Sequence, residues 1–192
     1  IILVTINPAY HLHELAFVLE QSGCKGLVLQ NRFKTSDYEA LICELCPQLE
    51  SCEPGKLRSE NFADLSLVIS MTESTVPGIT NWQDFLELAG QSTAAELAQR
   101  QAEQDFDDAI NIQYTSGTTG FPKGAVSSHY AVLSSLRAFA CRALVGAMIQ
   151  PTKEPSPFDT CFILAVPLFH VTGLVPVMLS CFMNGIKLVM MY

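Results

Sequence analysis

Tyr114-Thr115-Ser116-Gly117-Thr118-Thr119-Gly120-Phe121-Pro122-Lys123-Gly124 is the stretch on which the reading of this chain turns. Gly117, Gly120 and Gly124 permit backbone angles and close approaches that a side chain forbids. Thr115, Ser116, Thr118 and Thr119 supply four hydroxyls, and Lys123 supplies a positive charge. Backbone amides, hydroxyls and a cation in one turn suit a polyphosphate. The order differs from a Walker A loop, in which the lysine follows a glycine and precedes Ser or Thr; here Lys123 follows Pro122 and precedes Gly124. A surface turn without a ligand is the plainer alternative for the three glycines alone. The eleven residues in this order favour the anion.

Outward from that turn, the alternating run Ala109–Tyr114 predicts the strand that leads in, and Gly124–Ser127 a short strand that leads out. Residues 130–149 predict a helix. Residues 150–157 hold Pro151, Pro155 and Pro157 and read as a loop, either a passive surface insertion or a reshaping of the site's entrance. Cys161–Val166 predicts a strand, Leu174–Met183 a helix and residues 186–192 a last strand. Cys161–Met183 carries no Lys, Arg, Asp or Glu, which passes a simple length test for a membrane span. Pro167, His170, Gly173 and Pro176 instead divide it into strand, loop and helix, so no transmembrane span is expected.

Toward the N-terminus, Ile1–Ile6, Gly26–Leu29 and Leu65–Ile69 read as strands. Leu12, Leu15, Ala16 and Leu19 recur at helical spacing, with Gly23 as the stop. Ser36 with Glu39 predicts a capping box for a helix that Pro47 closes. Asn81 and Thr93 predict the caps of two short exposed helices, ahead of the acidic turn Asp105–Asp108. Strands alternating with helices give an α/β fold of mostly parallel sheets flanked by helices. The expected organisation is a first α/β region over 1–80, a helical connector over 81–108 and a second α/β region over 109–192. All three belong to one incomplete domain. The chain opens and stops inside apolar runs, which reads as an internal fragment and hides any targeting peptide.

The 192 residues are 49% hydrophobic and 16% charged, enough apolar content for a core and too much for a disordered tail. Eleven Lys and Arg against nineteen Asp and Glu leave a net charge of −8, which argues against a nucleic-acid partner. Residues 1–110 hold 6 basic and 17 acidic side chains and residues 111–192 hold 5 and 2. The half with the glycine-rich turn is thus mildly positive. Seven cysteines in mostly apolar runs suit reduced thiols in an intracellular protein. Cys43 and Cys46 have metal-site spacing, but no second pair follows them.

Residues 114–124 resemble the phosphate-binding signature of the adenylate-forming superfamily: acyl-CoA synthetases, firefly luciferase and peptide-synthetase adenylation domains. Pro167-Leu168-Phe169-His170-Val171-Thr172-Gly173 is similar to the next motif of that superfamily, which lines its acyl pocket. Asn7-Pro8-Ala9-Tyr10, Glu14-Leu15 and Ser22–Lys25 resemble the opening of fatty acyl-CoA synthetases. Phe33-Lys34-Thr35 and Asp108–Tyr114 look closest to the mitochondrial medium-chain ligase subgroup.

The resemblance implies the front of a large N-terminal AMP-binding domain and a ligase using ATP, Mg²⁺ and coenzyme A on a medium- or long-chain fatty acid. It implies that Thr115, Ser116, Gly117, Thr118, Thr119, Gly120, Phe121, Pro122 and Lys123 hold the β- and γ-phosphates. Thr115 would also stand near the metal, and Lys123 would be catalytic. It makes His170 a second catalytic residue, with Thr172 and Gly173 beside the acyl substrate. Periodicity alone would make His170 a satisfied core histidine. His129 reads as structural support, and His11 and His13 as solvated. A mitochondrial location is implied, with peroxisome and cytoplasm open. Later motifs of the superfamily fall outside these residues, so the fragment alone is not expected to turn over. A truncated nucleotide- or acyl-binding module is the alternative.

Overall fold

The computed structural model describes residues 1–115, 122–149 and 161–191. The chain forms two compact units, Asn7–Gln104 and the combination of Ile1–Ile6 with Asp105–Tyr192. It opens with β1 (Leu3–Thr5), α1 (Leu12–Ser22) and β2 (Gly26–Leu29). A small hairpin of β3 (Arg32–Phe33) and β4 (Ser36–Asp37) precedes α2 (Tyr38–Leu45) and a 3-10 turn at Pro47–Glu50. Then come β5 (Leu67–Ser70), β6 (Ile79–Asn81), α3 (Trp82–Glu87) and α4 (Ala94–Ala102). The rest is β7 (Ala109–Thr115), β8 (Lys123–Ser128), α5 (His129–Ile149) and β9 (Cys161–Leu164). A π-helical segment, Gly173–Leu179, continues into α6 (Ser180–Asn184) and the last strand, β10 (Lys187–Met190). The expected loop at 150–157 lies outside the described residues.

In the Asn7–Gln104 unit, β2, β5 and β6 form a parallel sheet with β5 in the middle. Its core holds Val18 and Leu19 of α1, Ile42 of α2 and Val68 and Ile69 of β5, all buried. Gly23 closes α1 in the left-handed conformation at φ 57°, as its sequence position predicts. The cap of α2 is Asp37, whose carboxylate accepts from the Ala40 amide at 2.9 Å. Ser36, the expected cap, instead pairs with Phe33 in the hairpin. Thr93 caps α4 in a full capping box with Glu96. Asn81 precedes α3, but its side-chain Oδ1 accepts from the Ser74 amide at 2.8 Å, so it anchors the preceding loop rather than the helix.

In the other unit, β7 is central. β1 lies parallel to it on one side and β8 antiparallel on the other. The strand that opens the chain thus pairs with Asn111–Gln113 rather than with the next strand in sequence. β9 and β10 make a separate parallel pair. The Cys161–Met183 run is a strand, a turn at 166–170 and helical turns. Among the described residues no helix is long and apolar enough to cross a membrane.

Candidate functional site

The register of β7 and β8 sets Thr115 opposite Lys123, Tyr114 opposite Gly124 and Gln113 opposite Ala125. The Thr115 hydroxyl donates to the Lys123 carbonyl at 3.4 Å. Residues 116–122 therefore leave and return at one rung of an antiparallel pair. Ser116, Gly117, Thr118, Thr119, Gly120 and Phe121 lie outside the described residues; Pro122 is half-buried, and Thr115 and Lys123 are exposed. Gly124 has a steric reason to be glycine: a Cβ there would lie 3.1 Å from Ile112 Cγ2 and 3.2 Å from the Tyr114 ring.

Side chains alternate along a strand, so Asn111, Gln113 and Thr115 of β7 share a face with Ser127, Ala125 and Lys123 of β8. On this face Asn111 and Gln113 are each only 6% exposed. On the opposite face Val126 is 63% exposed. Asn111 Nδ2 donates to the Leu3 carbonyl at 3.1 Å. Gln113 Nε2 and the Thr5 hydroxyl, adjacent in the β1–β7 register, are buried without a partner. Unpaired buried polar atoms are rare in native folds, and Gln113 lies two residues before Thr115.

His170 stands in a turn between β9 and the π-helical segment. Its Nδ1 accepts from the Thr172 amide at 3.2 Å, and its carbonyl accepts from the Gly173 and Leu174 amides at 3.0 and 3.2 Å. These bonds make His170 the cap of the first helical turn. They leave Nε2 of the exposed ring to face outward with the proton in the neutral form. Gly173 is buried against backbone: a Cβ would lie 2.6 Å from the Val166 carbonyl oxygen and 2.5 Å from that of Pro167. The motif is thus folded by Gly173 and capped by His170, whose Nε2 has no partner among the described residues.

His129 opens α5. Its amide donates to the Asp108 carbonyl at 3.3 Å, and that of Tyr130 to Phe106 at 2.9 Å. Phe106 meets Tyr130 edge-on at 5.8 Å between ring centroids. Ser128, which sequence reasoning did not single out, caps the helix by accepting from the Ala131 amide at 3.2 Å. A serine just before an apolar helical run was the signal for it.

The structure brings Thr115 to Lys123 and His170 to Thr172 and Gly173, all within one unit. An apolar trough of about 280 Å³ runs between α5 and the π-helical segment. Val171 lines it, and His170, Thr172 and Gly173 do not. Among the described residues no three His, Cys, Asp or Glu converge as a metal cluster. Burial raises the Cys43 and Cys46 thiols above their ordinary pKa, away from a reactive thiolate.

The profile of the AMP-binding enzyme family matches residues 1–192. The human mitochondrial medium-chain acyl-CoA ligase ACSF2 is 40% identical over 99% of the chain and 30% of its own length. Among solved structures, the anthranilate CoA ligase AuaEII in complex with anthranoyl-AMP superposes with a TM-score of 0.68 at 19% identity. That match covers 100% of the chain and 30% of the ligase. A fatty acyl CoA synthetase of Mycobacterium tuberculosis gives 0.59 at 24%, covering 99% of the chain and 29% of that enzyme. The chain spans about 30% of the length of the curated relatives it matches. The likeness to the solved structures establishes the fold: α/β, with helices flanking parallel sheets, as in the N-terminal domain of adenylate-forming enzymes.

Proposed function

The chain belongs to the family of AMP-binding enzymes, and on that premise we propose that the protein it forms part of is an ATP-dependent fatty acid–CoA ligase. The observation that carries the reading is the Thr115–Lys123 rung, which holds both ends of the glycine- and threonine-rich segment together at the edge of the sheet. The name and 40% identity of the human ligase support the same reaction and a medium-chain acid. That name also supports a mitochondrial location over a peroxisomal or cytoplasmic one.

In this reaction a carboxylate oxygen attacks the α-phosphorus of ATP. The bond to pyrophosphate breaks, and an acyl-adenylate forms. The thiol of coenzyme A then displaces AMP. Thr115 to Lys123 hold the β- and γ-phosphates through amides and hydroxyls, and the Lys123 ammonium balances charge on the departing pyrophosphate. The exposed Thr115 hydroxyl is a hard oxygen donor of the kind magnesium takes. Bound there, Mg²⁺ would neutralise phosphate charge. His170 offers its outward Nε2 to the acyl carboxyl, with Thr172 and Gly173 holding the turn that aims it.

ATP–pyrophosphate exchange on the full-length protein tests the reading. Exchange that depends on added fatty acid, and that falls in Lys123→Ala while acid binding persists, is the expected result. An unchanged exchange rate in Lys123→Ala would refute the role of the turn. The isolated 192-residue chain should bind nucleotide or acid at most, without turnover.

A further inference from the structure

We propose that Gln113 is a positioning residue for the Thr115 hydroxyl: its side-chain amide donates to Thr115 Oγ1 when a triphosphate is held, and Thr5 steadies that amide from the neighbouring strand. This rests on the ligase reading above, with Thr115 at the phosphates.

The face of β7 that carries Thr115 also carries Asn111 and Gln113, each 6% exposed. The two amides are equally covered and differently used. Asn111 Nδ2 donates to the Leu3 carbonyl at 3.1 Å. Gln113 Nε2 has no partner among the described residues. Neither has the Thr5 hydroxyl, which the β1–β7 register sets beside it. A buried N–H without an acceptor costs stability. Methionine has a similar length and no such cost, so packing alone does not account for an amide at this position.

A suitable acceptor lies on the same strand. Residues two apart on one face are about 7 Å apart. The glutamine side chain spans three bonds from Cβ to Nε2, roughly 4 Å, and an N–H···O bond adds about 3 Å. Thr115 Oγ1 is loosely held, because its bond to the Lys123 carbonyl is 3.4 Å long against about 2.8 Å for a well-made O–H···O bond. That bond uses the hydroxyl's proton and leaves the oxygen able to accept. Gln113 is also the last covered side chain on this face before the exposed rung of Thr115 and Lys123.

Both N–H groups of the amide then have a place. One runs along the strand to Thr115 Oγ1, and the other runs across to Thr5 Oγ1. Thr115 turns its proton from the Lys123 carbonyl to a phosphate oxygen. The bond accepted from Gln113 strengthens that donation, since successive hydrogen bonds polarise one another. No proton changes owner.

The test is MgATP binding and ATP–pyrophosphate exchange on the full-length protein, for Gln113→Met, Thr5→Val, Thr115→Val and the double variant Gln113→Met/Thr115→Val. Without nucleotide, Gln113→Met is expected to melt no lower than wild type, because an unpaired N–H is gone. Its KM for ATP should rise roughly three- to tenfold, the worth of one hydrogen bond, while the KM for the acid stays constant. The rise in melting temperature produced by MgATP should shrink in step. Thr5→Val should shift the KM for ATP the same way by less. In the Thr115→Val background Gln113→Met should add nothing, its partner being already removed.

A wild-type KM for ATP in Gln113→Met overturns the proposal, as do effects of Gln113→Met and Thr115→Val that multiply in the double variant. Loss of the fold in Gln113→Met also overturns it, since the amide then has a structural partner elsewhere in the protein. All three results leave the ligase reading intact. Wild-type protein without acid-dependent exchange removes that reading itself, before any variant is compared.

Discussion

Gly173 lies so close to Pro167 that a β-carbon on it would sit 2.5 Å from the Pro167 carbonyl oxygen. The obstruction is backbone on both sides, because the Val166 oxygen would be 2.6 Å away. No rotamer change relieves it, so any larger residue at this position must shift the backbone of the turn bearing His170.

Gly173→Ala is accordingly expected to destabilise the protein by about 1–3 kcal/mol through overpacking. Gly90→Ala is the control, since nothing lies within 4 Å of a Cβ there, and it should change stability by less than about 0.5 kcal/mol. Thermal unfolding of the two full-length variants beside wild type makes the comparison. Equal melting temperatures would contradict the contact.

His170 caps the turn, and the ligand contact proposed for it can be separated from that capping. His170→Asn keeps an acceptor for the Thr172 amide, and His170→Leu removes it. Asn should preserve stability and lower adenylation. Leu should lower both, with a stability loss of about 1 kcal/mol for the lost cap. Full activity in the Asn variant would confine His170 to capping.

Lys123→Ala should reduce adenylation by roughly 10²–10³-fold, as expected for loss of a group that meets charge forming in the transition state. Thr115→Val keeps the β-branched shape and loses only the hydroxyl. Its long, exposed bond to the Lys123 carbonyl contributes at most about 1 kcal/mol to stability, and kcat/KM for ATP should fall less than in Lys123→Ala. Pyrophosphate exchange at varied ATP measures both. A larger effect from Thr115 than from Lys123 would reverse the assigned roles.

Asp37 gives a pH signature. The Ala40 amide first, and the Arg32 guanidinium second, hold its carboxyl below the ordinary carboxylate pKa. A folded-state pKa below the unfolded one stabilises fully above the unfolded value, about 3.9, and that contribution fades as pH falls through the folded value. Asp37→Asn retains an acceptor but no charge. It should be less stable than wild type at neutral pH by under about 1 kcal/mol, the pair with Arg32 being exposed. The gap should narrow on acidification. Unfolding midpoints at neutral and acid pH check this, and a constant gap would exclude the charge effect.

Much of this fold was legible because the signals are local. The alternation of residues 109–114 and the Thr93–Glu96 box sit where the chain itself dictates structure. The slip from Ser36 to Asp37 shows how two adjacent capping residues compete, with the hairpin deciding. β6 was missed because three residues after Pro77-Gly78 carry almost no periodicity. The pairing of Leu3 with Asn111 joins positions 108 apart, and no window of sequence holds it. Burial on this sheet does not follow polarity: Asn111 and Gln113 are covered while Val126 is open, because neighbouring elements decide which face is shielded. The candidate site was readable as composition. The capping role of His170 was not, since it depends on where the turn directs the Thr172 amide.

The Thr115–Lys123 rung has a thermodynamic consequence. Bringing the two ends of a loop together costs entropy that grows with the logarithm of its length. Here strand pairing meets that cost as the sheet folds, before any anion arrives. The attachment points of residues 116–121 are thereby fixed by the sheet. Replacements between Thr115 and Lys123 are therefore expected to leave this strand pairing, and the melting point it supports, unchanged.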